Sequence, residues 1–120
     1  MKRIIRTQAQ RSAPRDIPFD KLPVTPAYLI DEPGLISNLE RLVEFKEMSG
    51  AKILLAQKAY SAFSTYPLIS QYLDGTCSSG LFEAKLAHEF MPEGELEGFC
   101  PAYKDSEFHE LFEIADTLIF

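Results

Sequence analysis

Lys58 is the residue of this sequence whose type and position most clearly suggest chemistry. It closely follows Ile53–Ala56, an unbroken apolar run of strand length. A strand that is apolar on both faces is typical of a parallel sheet covered on both sides. In α/β barrels the carboxyl ends of such strands carry the reactive groups. A lysine amine held at this point can act as a nucleophile and condense with an aldehyde.

A simpler interpretation of Lys58 is a solvated charge in the loop after a buried strand, and the local pattern does not exclude it. Three other lysines are rival candidates for the reactive amine. Lys52 precedes its strand and so lies at the wrong end, and Lys85 lies in the middle of a predicted helix, on a solvated face. Lys104 follows a Pro-Ala-Tyr turn, which predicts a residue on the substrate side or in the loop.

Strands and helices alternate along the chain with short connections. The predicted strands are Thr25–Ile30, Ile53–Ala56, Thr76–Ser79, Leu96–Cys100 and Thr117–Phe120. The predicted helices are one that begins at Asp31 and Pro33 and stops at Gly50, then Tyr66–Leu73, Leu81–Phe90, and one capped by Asp105 or Ser106. This order predicts βαβ units and a parallel sheet. We expect Ile53–Ala56 at its centre, flanked by Thr76–Ser79 and by Thr25–Ile30 or a later strand.

Each predicted helix carries an apolar stripe at helical spacing, which predicts its buried face. The stripes are Leu35, Ile36, Leu39, Leu42 and Val43; then Leu68, Ile69, Tyr72 and Leu73; then Phe82, Leu86 and Phe90; and finally Phe108, Leu111, Phe112 and Ala115.

The chain has 120 residues, of which 46% are hydrophobic and 25% charged, as in a globular protein. It is too short for a complete (β/α)8 barrel, which takes about 250 residues. Its last residues, Thr117–Phe120, are an apolar run with no polar tail. We therefore expect the front part of a larger enzyme, with residues 1–22 as an amino-terminal extension.

Charge argues against several classes of partner. The net charge of −6 disfavours nucleic acid, which requires a clustered basic face. The basic amino terminus lacks the apolar core of a signal peptide, and no apolar run approaches membrane-spanning length, so we expect a cytoplasmic protein. Cys77 and Cys100 are too few and too far apart for a metal site, and we expect reduced thiols.

Four segments together resemble a known family. They are TPAYLID from Thr25, KILLAQKAYS from Lys52, LDGTCSSGLFEAKLA from Leu73 and CPAYKDSE from Cys100. In this order and register, over about four-fifths of the chain, they are similar to the amino-terminal part of carboxynorspermidine (carboxyspermidine) decarboxylase. The resemblance implies an α/β fold: the amino-terminal part of a pyridoxal-phosphate-binding (β/α)8 barrel like those of alanine racemase and ornithine decarboxylase. Residues 23–120 would then form a partial barrel domain.

The resemblance also implies site residues. The lysine in the position of Lys58 binds the aldehyde of pyridoxal phosphate covalently in this family. Ser78 and Ser79 lie at the end of the next strand, and Ser79 is a candidate cofactor-binding residue. Glu83 is another, although a carboxylate in the first turn of a helix is equally explained by the helix dipole. Asp74 is better explained as a turn residue.

The implied reaction is decarboxylation of carboxynorspermidine or carboxyspermidine to norspermidine or spermidine. Alternatives are a diaminopimelate- or ornithine-type decarboxylase of the same barrel group, a non-catalytic barrel protein that carries pyridoxal phosphate, and an inactive fragment. In this family two subunits share the active site, which implies a homodimer. The residues that bind phosphate, the pyridine nitrogen and the substrate are expected beyond Phe120.

Overall fold

The structure is a computed structural model and describes residues 19–120. In this range four helices and four strands alternate, preceded by a 3-10 turn at Phe19–Lys21. The helices are α1 (Glu32–Ser49), α2 (Tyr66–Ile69), α3 (Leu81–Phe90) and α4 (Asp105–Ile114); a 3-10 turn at Phe63–Thr65 precedes α2. The strands are β1 (Leu54–Ala56), β2 (Gly75–Ser78), β3 (Glu95–Phe99) and β4 (Thr117–Ile119). The predictions for residues 1–18 lie outside the described residues.

The strands form one parallel sheet in the order β1-β2-β3-β4. Leu55 pairs with Thr76, which in turn pairs with Leu96. Each strand is joined to the next by a helical segment, as parallel pairing requires. All carboxyl ends therefore lie along one edge of the sheet. The predicted α/β fold with a parallel sheet is confirmed.

The helices cover one face of this sheet. They enclose two apolar clusters, one of Leu39, Tyr66, Ile69, Leu73 and Met91, the other of Leu81, Ala84, Ala87, Leu96 and Leu111. Leu55 packs against the first cluster and Leu118 against the second. Side chains alternate along a strand, so the residues directly before and after Leu55 and Leu118 in their strands point to the opposite face. We call this the uncovered face. Ala56, Cys77 and Glu97 are register partners on it.

The ends of α1 are those predicted from the sequence. The Asp31 side chain accepts a hydrogen bond from the Gly34 N–H at 3.2 Å, which satisfies one of the free donors of the first turn. Gly50 ends the helix with φ at 69°, in the left-handed region that favours glycine. The Gly50 N–H donates to the carbonyl oxygen of Lys46.

Two predictions about the sheet are wrong. Residues 25–30 form no strand, and Tyr28 is fully exposed. Ile53–Ala56 was expected at the centre, but β1 lies at an edge of the described sheet and pairs, in parallel, with β2. A β-rich composition makes a strand only where a neighbour pairs with its N–H and C=O groups, and residues 25–30 have no such neighbour within the described part.

The buried face of α3 also differs from the prediction. Leu81, Ala84 and Ala87 face the sheet, whereas Phe82 is 77% exposed. Small alanines let the helix axis approach the sheet closely, so they lie at the contact, while the large aromatic side chain lies outside it. Phe112 on α4 was likewise expected inside but is 61% exposed.

Smaller differences concern the ends of three elements. The predicted helix Tyr66–Leu73 is α-helical only to Ile69 and continues as hydrogen-bonded turns. Gly75 does not close that helix but begins β2. The N-cap of α4 is Lys104, without a side-chain hydrogen bond, so neither Asp105 nor Ser106 caps this helix.

Candidate active site

Lys58 lies at the carboxyl edge of the sheet, as predicted. The Gln57 N–H donates to the Cys77 carbonyl oxygen at 3.1 Å, which continues the ladder one residue beyond β1. The Ala59 N–H then turns back to the Ala56 carbonyl oxygen at 3.0 Å. Lys58 lies between these two bonds, so its backbone is held on both sides. Its side chain is exposed.

The amine of Lys58 contacts an aromatic ring on another strand. Its Nζ lies 5.9 Å from the ring centroid of Phe99, the last residue of β3. A cation over an exposed ring gains about 0.5–1 kcal/mol, which is easily given up when the amine reacts. Lys58 forms no ion pair with any residue in 19–120.

The competing lysines are all paired with carboxylates. Lys52 binds Glu95 near the amino end of the sheet, Lys85 lies 2.6 Å from Glu110, and Lys104 lies 2.8 Å from Glu107. For Lys52 and Lys104 the hydrogen bond to the partner carboxylate raises the lysine pKa above its ordinary value. An amine held in an ion pair is less available as a nucleophile. The geometry therefore favours Lys58, which forms no such pair within residues 19–120, over these three lysines.

Ser79 and Glu83 are brought together by the β2–α3 loop. The Ser79 N–H donates to Glu83 Oε2 at 2.6 Å. Gly80, the N-cap residue, offers no side-chain cap, so the Glu83 carboxylate satisfies this loop from the first turn of α3. This contact agrees with the structural interpretation of Glu83, and it also orders Ser79.

Lys58 and Glu83 are both close enough to act electrostatically on Cys77. Burial and a hydrogen bond to Glu97 raise the Cys77 pKa; the charge of Lys58 opposes this shift and that of Glu83 adds to it. A cleft of about 310 Å³ opens beside β2 and β3, and its lining includes Ser79, Glu83 and Lys104 but not Lys58. The structure therefore places Ser79 and Glu83 at one cleft and Lys58 outside it, on the β1 side of the same edge.

Ser78 is the last residue of β2, but its side chain does not line this cleft. It is fully buried and faces the helix layer, where its hydroxyl accepts a hydrogen bond from Gln57 Nε2 at 2.7 Å. Gln57 Oε1 accepts in turn from the Tyr66 hydroxyl at 3.1 Å. Sequence reasoning missed this buried chain. A polar amide directly after an apolar run is a sign of it, because a buried amide needs hydrogen-bond partners.

Tyr103 was also missed as a structural residue of this edge. Its hydroxyl lies 2.7 Å from the carbonyl oxygen of Ile119 and 3.0 Å from that of Gly98. It therefore connects the carboxyl ends of β3 and β4, and it shapes the Pro101–Lys104 loop that sequence analysis placed at this edge.

Asp74 lies at the opposite, amino-terminal edge, as expected for a turn residue. It accepts a hydrogen bond from the Ile53 N–H at 2.8 Å and forms an ion pair with Lys46 at 2.8 Å. The hydrogen bond from Lys46, followed by that from Ile53, lowers the Asp74 pKa. Asp116 repeats the backbone contact at the start of β3, where it accepts from the Leu96 N–H at 2.8 Å.

The described residues contain neither a cluster of metal-binding side chains nor a helix that could span a membrane. No group of three or more histidine, cysteine, aspartate or glutamate residues in 19–120 is arranged to hold a metal ion. Among the helices of the same range, none combines the length and apolar character needed to cross a membrane. Cys77 and Cys100 are free thiols.

Comparisons with known proteins agree with the resemblance seen in the sequence. No protein-family profile matches the chain. The carboxynorspermidine/carboxyspermidine decarboxylase of Herminiimonas arsenicoxydans is 43% identical over 96 residues, and that of Campylobacter jejuni 38%. The carboxyaminopropylagmatine decarboxylase of Synechocystis is 25% identical over the same length. Each match covers 80% of this chain and between 24% and 26% of the relative.

A solved structure matches in fold as well. The crystal structure of carboxynorspermidine decarboxylase complexed with norspermidine, from Campylobacter jejuni, superposes with a TM-score of 0.77 at 38% identity. The match covers 80% of this chain and 26% of that one. The chain spans about a quarter of the length of the relatives it matches. Over that quarter, this chain is similar in both sequence and fold to the carboxynorspermidine decarboxylases.

Proposed function

We propose that this chain is part of a pyridoxal-phosphate-dependent decarboxylase of polyamine biosynthesis. Its substrate would be carboxynorspermidine or carboxyspermidine, and its product norspermidine or spermidine. The observation that carries the proposal is the position of Lys58: its amine lies at the carboxyl edge of a parallel sheet that matches a decarboxylase of this name at a TM-score of 0.77.

The residues present fit the proposed cofactor. Pyridoxal phosphate supplies an aldehyde for a lysine amine and a ring that takes up the electrons released when CO2 leaves. Lys58 offers an exposed primary amine on a backbone held from both sides. Ser79 and Glu83 are the further candidates for contact with the cofactor, and Glu83 fixes the Ser79 backbone through the 2.6 Å hydrogen bond.

The contacts around Lys58 would also hold its amine in position to meet the cofactor aldehyde. The turn at Ala56–Ala59 fixes the start of the side chain, and the Phe99 ring lies beneath the amine. A reactive group fixed in this way loses less conformational entropy when it reaches the reactive geometry.

The substrate is proposed from similarity. Two relatives at 43% and 38% identity carry the carboxynorspermidine/carboxyspermidine name, whereas the relative that acts on carboxyaminopropylagmatine is 25% identical. The higher identities favour the first substrate pair, and carboxyaminopropylagmatine is the second candidate. The diaminopimelate- and ornithine-type reactions and a non-catalytic carrier of pyridoxal phosphate remain alternatives without an observation in their favour.

The wider assembly is part of the same proposal. Because each match covers about a quarter of a relative, we propose that residues 23–120 act within a longer chain that completes a (β/α)8 barrel, with residues 1–22 as an extension. A cytoplasmic homodimer with no metal and no nucleic-acid partner is the proposed form.

The test is covalent trapping on the complete protein. After incubation with pyridoxal phosphate and reduction with borohydride, peptide mapping should find the pyridoxyl group on Lys58. Lys58→Arg keeps the charge but provides no primary amine, so decarboxylation should fall by several orders of magnitude while the fold survives. Lys85→Arg is the matched control, because Lys85 is an exposed lysine on α3 that lies outside the cleft, and it should retain activity.

The proposal fails if the label is found on Lys52, Lys85 or Lys104, or on no lysine of this chain. It also fails if Lys58→Arg behaves like the control. A solvated loop lysine would tolerate arginine with a change in the free energy of unfolding within about 0.5 kcal/mol and none in activity.

A further inference from the structure

We propose that Gln57 is a positioning residue for Lys58, acting through a buried hydrogen-bond chain with Tyr66 and Ser78. This inference rests on the proposed role of Lys58 as the residue that binds the cofactor aldehyde. All three members of the chain are buried: Gln57 is 1% exposed, and Tyr66 and Ser78 are fully covered. A polar group buried at the end of an apolar strand is costly unless every partner is in place.

The amide of Gln57 connects the helix layer to the sheet. The Tyr66 hydroxyl, at the start of α2, donates to Gln57 Oε1 at 3.1 Å. Gln57 Nε2 donates to the Ser78 hydroxyl, at the end of β2, at 2.7 Å. One side chain therefore uses its acceptor on a helix and its donor on a neighbouring strand. Turning the amide away would leave a tyrosine and a serine hydroxyl buried without this partner, so its orientation is strongly preferred.

This orientation sets the direction of the next side chain. The Gln57 N–H pairs with the Cys77 carbonyl oxygen at 3.1 Å, so the chain is still in the ladder at this point. In extended chain, neighbouring side chains point to opposite faces. With Gln57 fixed toward the helices, Lys58 is directed to the uncovered face, where its amine lies over the Phe99 ring.

Two adjacent residues thus have different roles: Gln57 is buried and structural, and Lys58 is exposed and reactive. The buried amide holds the backbone, while the exposed lysine keeps an accessible amine. A lysine on an unheld loop would sample many positions, and small displacements of a reactive group lower its rate steeply. The hydrogen-bond chain ends at Ser78, which directly precedes Ser79 in sequence. The same contacts therefore hold the loop that carries a second candidate cofactor residue.

The experiment measures the rate at which Lys58 of the complete protein reacts with pyridoxal phosphate, followed by absorbance and by mapping of the borohydride-reduced product. Tyr66→Phe removes one donor and keeps the ring, and we expect a rate about tenfold lower, as for one lost buried hydrogen bond. Gln57→Met removes both contacts, and we expect about a hundredfold loss, with label spreading to other lysines. Tyr60→Phe is the matched control, because the Tyr60 hydroxyl pairs with Thr65 and takes no part in the Gln57 hydrogen bonds. This variant should react at the wild-type rate.

A triple variant separates positioning from stability. Gln57→Met, Tyr66→Phe and Ser78→Ala together remove the polar chain without leaving an unpaired member, so much of the stability should return. If Gln57 positions Lys58, the rate stays low in this variant. A rate that recovers with stability overturns the inference, as do single variants that react like the wild type. Wild-type protein with no label on Lys58 overturns the inference together with the proposed function, whereas labelled wild type with unaffected variants overturns the inference alone.

Discussion

Replacing Asp74 tests whether the amino-terminal edge of the sheet is held by a charged hydrogen bond. Asp74→Ala removes the acceptor of the Ile53 N–H, a bond to a charged group worth about 1.5–3 kcal/mol. It also removes the ion pair with Lys46, whose partners are 25% and 27% exposed, worth about 0.2–1 kcal/mol. We expect a loss of about 2–3 kcal/mol in the free energy of unfolding, measured by urea titration.

Asp116→Ala is the matched control for the ion pair between Asp74 and Lys46. Asp116 makes the same backbone contact, with the Leu96 N–H at 2.8 Å, but forms no ion pair within the described residues. Its replacement should cost about 1.5–2 kcal/mol, because it loses the hydrogen bond alone. The difference between the two variants measures the contribution of Lys46.

The effect of Asp74 should depend on pH. Because the Lys46 hydrogen bond and the Ile53 N–H lower the Asp74 pKa in the folded protein, this carboxylate stabilises the fold fully above the ordinary carboxyl pKa. Its contribution is lost as the pH falls through the lowered, folded-state pKa. The gap between wild type and Asp74→Ala should therefore close in acid. A gap that stays constant or widens on acidification would refute the reasoning, and so would equal losses for Asp74→Ala and Asp116→Ala.

Two further substitutions test contacts between neighbouring strands. Tyr103→Phe should lower the free energy of unfolding by about 1 kcal/mol or more, because it removes the hydroxyl that connects β3 and β4. Tyr28 is fully exposed, so Tyr28→Phe is the control and should leave the thermal melt unchanged. Equal melting temperatures for the two variants would contradict this role of Tyr103. Gly75→Ala should destabilise by about 3 kcal/mol or more, since a Cβ there would overlap the Glu95 backbone. Gly80→Ala, with open space around its Cα, is the control, and urea titration in which both alanine variants match the wild type would show the strand contact to be wrong.

The pattern of the sequence predicted the order of elements well because local signals determine it. Asp31 and Gly50 mark the two ends of α1, where a side-chain acceptor and a left-handed residue are locally required. Lys58 was placed correctly because parallel strands must share a carboxyl edge. These features depend on a few adjacent residues, so they can be inferred without knowing the fold.

Features that depend on distant residues were not predictable. Nothing near residues 25–30 indicates that this segment lacks a partner strand, and nothing near Lys58 points to Phe99 on a strand that does not adjoin β1. On α3, hydrophobicity favoured Phe82, whereas close packing against the sheet favoured the small side chain of Ala84. The Gln57 chain required knowledge of which hydroxyls the fold brings to one amide.

The uncovered face of the sheet has a consequence for what can pack against it. Barrel interiors are usually filled by bulky branched aliphatic side chains. Here the row of paired residues across the uncovered face consists of Ala56, Cys77, Glu97 and Thr117, one from each strand. None of these side chains is a bulky aliphatic one. Whatever covers this face must bring water or hydrogen-bond donors for Glu97, since an unpaired carboxylate is expensive to dehydrate. The uncovered face near Lys58 therefore favours a polar or hydrated covering over a purely apolar one.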